Sequence, residues 1–354
     1  MHILVLTRYE RLGSSSRVRF YQYLPFLKKH GVELTVAPLL SDDYVRSLYT
    51  NKRQNSLSVL SAYVKRLGWI LKSRKFDLIW LEKELLPWLP AWVEKILAGF
   101  DIPYVVDYDD AVFHRYDQHR SWVVRTFLGK KIDKVMRHAS LVVVGNDYLK
   151  EHAQKAGSKR VLYLPSVVDG SQYIQPESQR SQFTIGWIGS PVTAPFLNIV
   201  LSPLDILTRE SDTKIILIGS GGTDSLPQIP KTVLPWSEET EAADVHLFDV
   251  GIMPLPDGPF EKGKCGYKLI QYMAAGIPVV ASPVGINRQI VEHGVNGFLA
   301  SSESEWQQAL EYLRDNPGKR KQMGIAGRKK VEREYDLEVT SPQLLHLLQV
   351  AASR

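Results

Sequence analysis

Short apolar runs alternate along the first half of the chain with stretches whose apolar positions recur every three or four residues. Residues 2–7 read as a strand, followed by a polar loop at 8–16 and a helical pattern over 17–29. Gly31 closes that helix as a C-cap glycine would. Residues 32–38 read as the next strand, which makes a βαβ unit long enough for a parallel crossover. The pattern then predicts helix 56–73, strand 78–81, helix 85–98, strand 104–107, a basic helix over 122–138 and strand 141–144. A break follows. Residues 165–182, PSVVDGSQYIQPESQRSQ, are polar, hold two prolines and show no period, so they read as an interdomain linker. Alternation then restarts, with strands at 183–188, 214–218, 249–254 and 278–281. Helices are expected at 195–208, 266–275, 303–315, 317–335 and 341–351. The fold class is α/β. Two similar halves joined by a linker imply a cleft, and clefts and strand carboxyl ends are the usual small-molecule sites.

Composition narrows the picture. A length of 354 residues favours two domains, and 44% hydrophobic with 23% charged residues excludes long disorder, collagen and coiled coil. The single cysteine, Cys265, excludes a disulfide framework and a cysteine-based zinc site, and it suits a reducing compartment. The start, MHILVLTRYE, reads as a first strand rather than a signal peptide, and the longest apolar runs fall short of a membrane span. The expectation is a soluble cytoplasmic protein. Its net charge of +6 is uneven. Residues 1–168 hold 27 Lys and Arg against 16 Asp and Glu, a balance of +11, while the remainder holds 17 against 22, a balance of −5. Basic amphipathic stretches at 57–75 and at 120–138, the latter with Trp122 and Phe127, suit either a helix packed on the sheet or one lying on anionic lipid. No nucleic-acid motif accompanies the charge, so nucleic acid is not an expected partner.

Several segments could carry chemistry. GWIGSP at 186–191 ends a strand at Gly189 and continues through Ser190 toward a helix start, where backbone N–H groups can hold a phosphate. The loop at 219–222, beginning with Gly219, has the same character; a tight turn is the plainer reading of both. EKGKCGYKLIQYMAAGIP at 261–278 places Lys264 before, and Lys268 within, the first turn of a helix opened by Gly266. Lysines there oppose the helix dipole, which makes sense if an anion such as a diphosphate binds between them. Gly13, Arg17 and Arg19 lie at a loop-to-helix junction suited to phosphate or carboxylate. Asp107, Asp109 and Asp110 sit at or just past the carboxyl end of a strand, and could be metal ligands, a base or a helix cap. The spacing approaches the first motif of aspartate-nucleophile phosphatases, but Ala111 stands where that motif wants Thr or Val. His114 and His119 are too isolated for metal ligands, and neither a zinc signature nor a complete P-loop is present.

FDVGIMPLPDG, KCGYKLIQYMAAGIPVVASPVG, IVEHGVNGFLA and EWQQALEYLRDNPGKRKQMGIAGRKKVEREYD, in that order, resemble the carboxyl-terminal half of the group 1 retaining nucleotide-sugar glycosyltransferases, the glycogen-synthase-like family. GSSSRVRFYQYLPFLKKHGVELTV resembles that family's amino-terminal opening. The resemblance implies a GT-B fold, two Rossmann-like domains facing across a cleft. The acceptor domain would span 1–168, the linker 169–182, the donor domain 183–335, and a final helix over 336–354 would cross back to the first domain. It implies a nucleotide-sugar donor, UDP- or GDP-linked, with no metal required. The acceptor would be a glycan or lipid-linked glycan of the cell envelope, as in polysaccharide biosynthesis, met in the cytoplasm or at the inner membrane face.

The family's diphosphate-binding pair falls on Cys265 and Gly266, beside Tyr267; its strand-to-glycine loop falls on Gly189 and Ser190, and its amino-terminal glycine loop on Gly13. A histidine after the fourth strand is replaced by Asp109. Two glutamates eight apart are the hallmark, and here those positions are Gly263 and Gln271. Gln271 can still bond a ribose hydroxyl, and Glu261 is the nearest substitute for the first. The family's Arg and Lys after the strand-to-glycine loop are missing, and Lys264 and Lys268 are expected to supply their charge. Trp236 sits where the base is often placed. The implied reaction is retaining transfer, with Lys264, Lys268 and glycine amides stabilising the leaving diphosphate, Arg17 or Arg19 assisting, and Asp109 or Asp110 orienting the acceptor hydroxyl or helping its proton leave. Loss of both glutamates motivates the alternatives, a GT-B protein that binds nucleotide or glycan without catalysis, or a sugar-nucleotide epimerase.

Overall fold

The central strands of the first unit are runs of Val, Leu, Ile and aromatic residues that are buried on both faces, as the interior of an all-parallel sheet requires. The computed structural model describes residues 1–49, 56–99, 102–173, 182–222 and 229–353. The chain divides into two units. One comprises Met1–Ser166, Lys262–Cys265 and Thr340–Arg354, and the other Val167–Glu261 and Gly266–Val339. Most of the linker expected at 169–182, residues 174–181, lies outside the described residues.

The first unit holds strands β1 (His2–Leu6), β2 (Glu33–Val36), β3 (Leu78–Glu82), β4 (Tyr104–Tyr108), β5 (Leu141–Val144) and β6 (Val161–Tyr163), in the order β2-β1-β3-β4-β5-β6. All neighbours pair in parallel. The order reverses between β1 and β3, and ligands of such sheets bind outside the strand carboxyl ends at that reversal. The helix expected over 17–29 is broken into Ser14–Arg19, a 3₁₀ turn Tyr21–Tyr23 and Leu24–Lys29. Pro25 lacks the N–H that a continuous helix would donate to Tyr21. The expected helix over 85–98 is confined to Trp92–Ala98, since Pro87 and Pro90 interrupt its start. The expected 122–138 is two helices, Trp122–Leu128 and Lys131–His138.

The second unit holds β7 (Phe183–Ile188), β8 (Thr213–Ile218), β9 (Thr232–Leu234), β10 (Val250–Met253), β11 (Val279–Ala281) and β12 (Gly297–Leu299). Their order, β12-β11-β10-β7-β8-β9, is the doubly wound order with its reversal between β7 and β10. Alternate residues feed two cores: Ile216 and Ile218 pack on one face, Ile215 and Leu217 on the other. Gly186 of β7 admits the Phe248 ring, which a Cβ there would meet at 1.9 Å. Among the described residues, no helix is long and apolar enough to cross a membrane.

Candidate functional site

In the second unit, the carboxyl end of β7 runs into Gly189, whose N–H donates to the Ile218 carbonyl at 2.9 Å. Thr193 closes a turn there, its N–H donating to the Ser190 carbonyl at 2.9 Å. The helix Tyr267–Ala274 opens from Gly266, which takes the left-handed conformation (φ 67°) that a side chain would resist. Lys268, in that helix's first turn, crosses to the β7 loop. Its ammonium lies 4.2 Å from the Trp187 ring centroid and donates to Thr193 Oγ1 at 3.4 Å. A Cβ on Gly189 would stand 2.6 Å from that ammonium and 2.4 Å from the edge of Trp187. The absent side chain at Gly189 therefore admits the lysine, and the indole face holds it by cation–π attraction. A helix start and a fixed cation meet at this strand end, an arrangement suited to an anion.

Gly219 (φ 73°) follows β8, and its N–H donates to the Leu234 carbonyl at 2.9 Å. A Cβ on Gly219 would meet Cβ of Trp236 at 2.9 Å, so the expected base-side tryptophan does adjoin this loop. The Trp236 indole N–H donates to Glu241 at 2.8 Å. Tyr267 is half-buried, packed on the core of the unit. Gln271, expected at a ribose, is only 2% exposed, and its amide donates to the Tyr173 hydroxyl at 3.1 Å. Its side chain is part of the packing. Glu261 lies on the short helix Pro259–Lys262 and is partly exposed.

In the first unit, the loop after β1 and the ends of β3 and β4 form a buried charged cluster. Gly13 precedes the helix Ser14–Arg19 and sits against Tyr9, whose Cβ an added Cβ would meet at 2.5 Å. Ser16 Oγ donates to Glu82 at 2.6 Å and accepts from the Tyr9 N–H. Lys83, which no motif in the sequence marks, directly follows β3. It has φ 62°, and its backbone is pinned by the Asp107 carbonyl and the Tyr108 hydroxyl. Its ammonium lies 2.8 Å from Asp109, 3.8 Å from Asp110, and donates to Ser15 Oγ at 3.0 Å. Burial pushes the Asp109 carboxyl upward, but Lys83, with Ser15 and Arg19, outweighs it and holds the group below its usual range. Burial likewise works against the charge of Lys83, and Asp109 and Asp110 reverse that, raising it. Polar residues directly at a strand's carboxyl end, Glu82-Lys83-Glu84, were the available signal.

One expected assignment changes. Arg19, expected at a phosphate, is 1% exposed; it binds Asp107 through two nitrogens at 2.8 and 3.0 Å and donates to the Leu164 and Pro165 carbonyls. It is a structural group. Arg17 is also buried, donating to the Arg11 carbonyl at 3.4 Å. Lys264, expected to share an anion with Lys268, belongs to the first unit, where its ammonium lies 3.3 Å from Asp110. Cys265 is buried, donating to the Asp109 carbonyl at 3.2 Å. Burial, and then the Asp109 charge, push its thiol well up, so it stays protonated. Gly263, where the family's first glutamate would fall, has no room for any side chain. A Cβ there would lie 2.4 Å from Cβ and 2.6 Å from N of Ala111. Among the described residues no group of three or more His, Cys, Asp or Glu could hold a metal ion.

Residues 182–316 match the family model described as glycosyl transferases group 1. Comparison with curated protein sequences gives no match. Among solved structures, sucrose-phosphate synthase from Thermosynechococcus elongatus superposes with a TM-score of 0.74 at 16% identity, covering 100% of both chains. The Anabaena protein HepE in complex with UDP-glucose gives 0.71 at 16% identity, covering 99% of this chain and 100% of that one. A glycosyltransferase from Rickettsia africae gives 0.71 at 13% identity, covering 100% and 99%. These likenesses give the fold: GT-B, with two Rossmann-like α/β units.

Proposed function

We propose that the chain, whose residues 182–316 match the model described as glycosyl transferases group 1, moves a sugar from a UDP- or GDP-sugar to a hydroxyl acceptor with retention of configuration. The second unit binds the donor and the first the acceptor. The observation that carries the reading is Lys268, fixed on Trp187 above the Gly189 turn at the reversal of the second sheet. As the diphosphate leaves the anomeric carbon, negative charge grows on its terminal phosphoryl oxygens. Lys268, in the first turn of the helix opened by Gly266, receives that charge. In the acceptor unit Lys83 keeps Asp109 ionised, so it serves better to orient a hydroxyl than to remove its proton. Asp110, between Lys83 and Lys264 and 22% exposed, is the carboxylate open to an acceptor.

The acceptor is read as a glycan or lipid-linked glycan, with the basic first half favouring an anionic or membrane-held one. The test is incubation with a panel of UDP- and GDP-sugars, following release of the nucleoside diphosphate and the anomeric configuration of the product by NMR. Retention supports the reading and inversion refutes it. The closed space at Gly263 favours one second reading, binding of a nucleotide sugar without transfer. Saturable binding with neither transfer nor hydrolysis in the same panel would establish that reading instead.

A further inference from the structure

The helix Ser56–Leu71 has an apolar face on each side. Its inner face carries Tyr63, Leu67 and Trp69 against the core of the first unit, and the buried Arg66 guanidinium donates to the Thr7 and Ala37 carbonyls. These contacts fix the helix in rotation. On its outer face Leu60 (62% exposed), Val64 (61%) and Leu71 (75%) fall within an arc of about 40° at 3.6 residues per turn. Exposed Lys65 and Lys72 border that stripe. No Asp or Glu occurs between Asp43 and Asp77, an interval holding eight Lys and Arg. The Tyr63 hydroxyl donates to the Pro87 carbonyl at 2.8 Å, which ties the helix to a loop bearing the half-exposed Trp88. The Trp88 ring lies 5.7 Å from His119, and the helix Trp122–Leu128 that follows exposes Trp122 (67%) and Phe127 (69%).

We propose that this outer face, with the neighbouring tryptophans and Phe127, seats the first unit on the headgroup layer of an anionic bilayer. A fixed helix with an exposed apolar stripe bordered by lysines is the pattern of an interfacial helix, and Trp concentrates where hydrocarbon meets headgroups. A second copy of this chain is the poorer occupant, because it would press two basic helix faces together. The helix is too short to span, so it lies in the interface. The proposal deepens the reading of a membrane-held acceptor, and its test uses neither donor nor acceptor, so the two can fail separately.

The full chain should cosediment with phosphatidylglycerol–phosphatidylcholine vesicles, weakly or not at all with pure phosphatidylcholine, and less at high salt. The triple variant Leu60→Ser, Val64→Ser, Leu71→Ser should lose binding by roughly tenfold or more, with an unchanged circular dichroism melt. A second variant, Trp122→Ser with Phe127→Ser, should show a smaller loss. The proposal is overturned by no binding to anionic vesicles, by unchanged binding in the triple variant, or by a dimer of the native chain that the triple variant dissociates.

Discussion

Lys83→Met removes one buried charge while keeping a stem of similar length. The native ammonium is 2.8 Å from Asp109, with the two side chains 6% and 14% exposed. At an effective dielectric near 20, two unit charges at that separation attract by about 6 kcal/mol before desolvation is counted. Deleting one partner of a buried pair costs about 3–5 kcal/mol. Asp110 keeps Lys264 at 3.3 Å, so the loss should fall near the low end, about 3 kcal/mol at neutral pH. The sign with pH follows from Asp109. Its native value is depressed, so the pairing contributes stability above the unfolded carboxyl value and loses it as pH falls through the native one. Without Lys83 burial should outweigh what Ser15 and Arg19 still supply, and the carboxyl should rise above its unfolded value. The variant then recovers as the group protonates. Urea titration, with amide exchange of β4 as the local readout, should show the full deficit at neutral pH and less than half of it near the ordinary carboxyl value of about 4. Asp109→Asn added to Lys83→Met should restore most of it. An equal deficit at both pH values, or no rescue, would refute the charge argument and leave a packing role.

Gly189→Ala should drive its methyl against the buried Trp187 and displace the Lys268 ammonium; about 1–3 kcal/mol of stability and much of the nucleotide affinity should go together in urea titration and calorimetry. Gly263→Glu, which restores the family residue on paper, should give no gain in turnover and lower stability by about 1–3 kcal/mol, since Ala111 occupies its space. Cys265, buried with its thiol pushed up, should resist iodoacetamide in the folded chain at mildly alkaline pH and react in urea, as read by mass spectrometry.

Much of the α/β fold was legible because period-two and helical runs alternate through both halves. The strands missed, β6, β9 and β12, are three residues each, too short for a period to emerge from their neighbours. Gly189, Gly266 and Lys268 were legible because glycine turns at strand ends and a lysine in a helix's first turn each need a reason. Trp187 and Thr193 were not, because only the fold brings an indole and a hydroxyl to that ammonium. Arg19 misled for the same reason: its carboxylate partner Asp107 lies 88 residues away, and nothing local marks the pair as buried. Lys83 hid inside an acidic run, where a lysine reads as a solvated charge. The tie of Lys262–Cys265 to the first unit depends on Asn146, whose amide donates to the Lys264 carbonyl at 3.0 Å, a contact no sequence pattern announces.

The central claim is that Lys268 on the Gly189 turn binds the diphosphate of a nucleotide sugar, and calorimetric titration of UDP and GDP into the native chain and Lys268→Met tests it most directly. One of the two should bind the native chain, with affinity about tenfold or more weaker in the variant and the melting temperature little changed. Equal affinity in both proteins, or no binding of either nucleotide to the native chain, would contradict it.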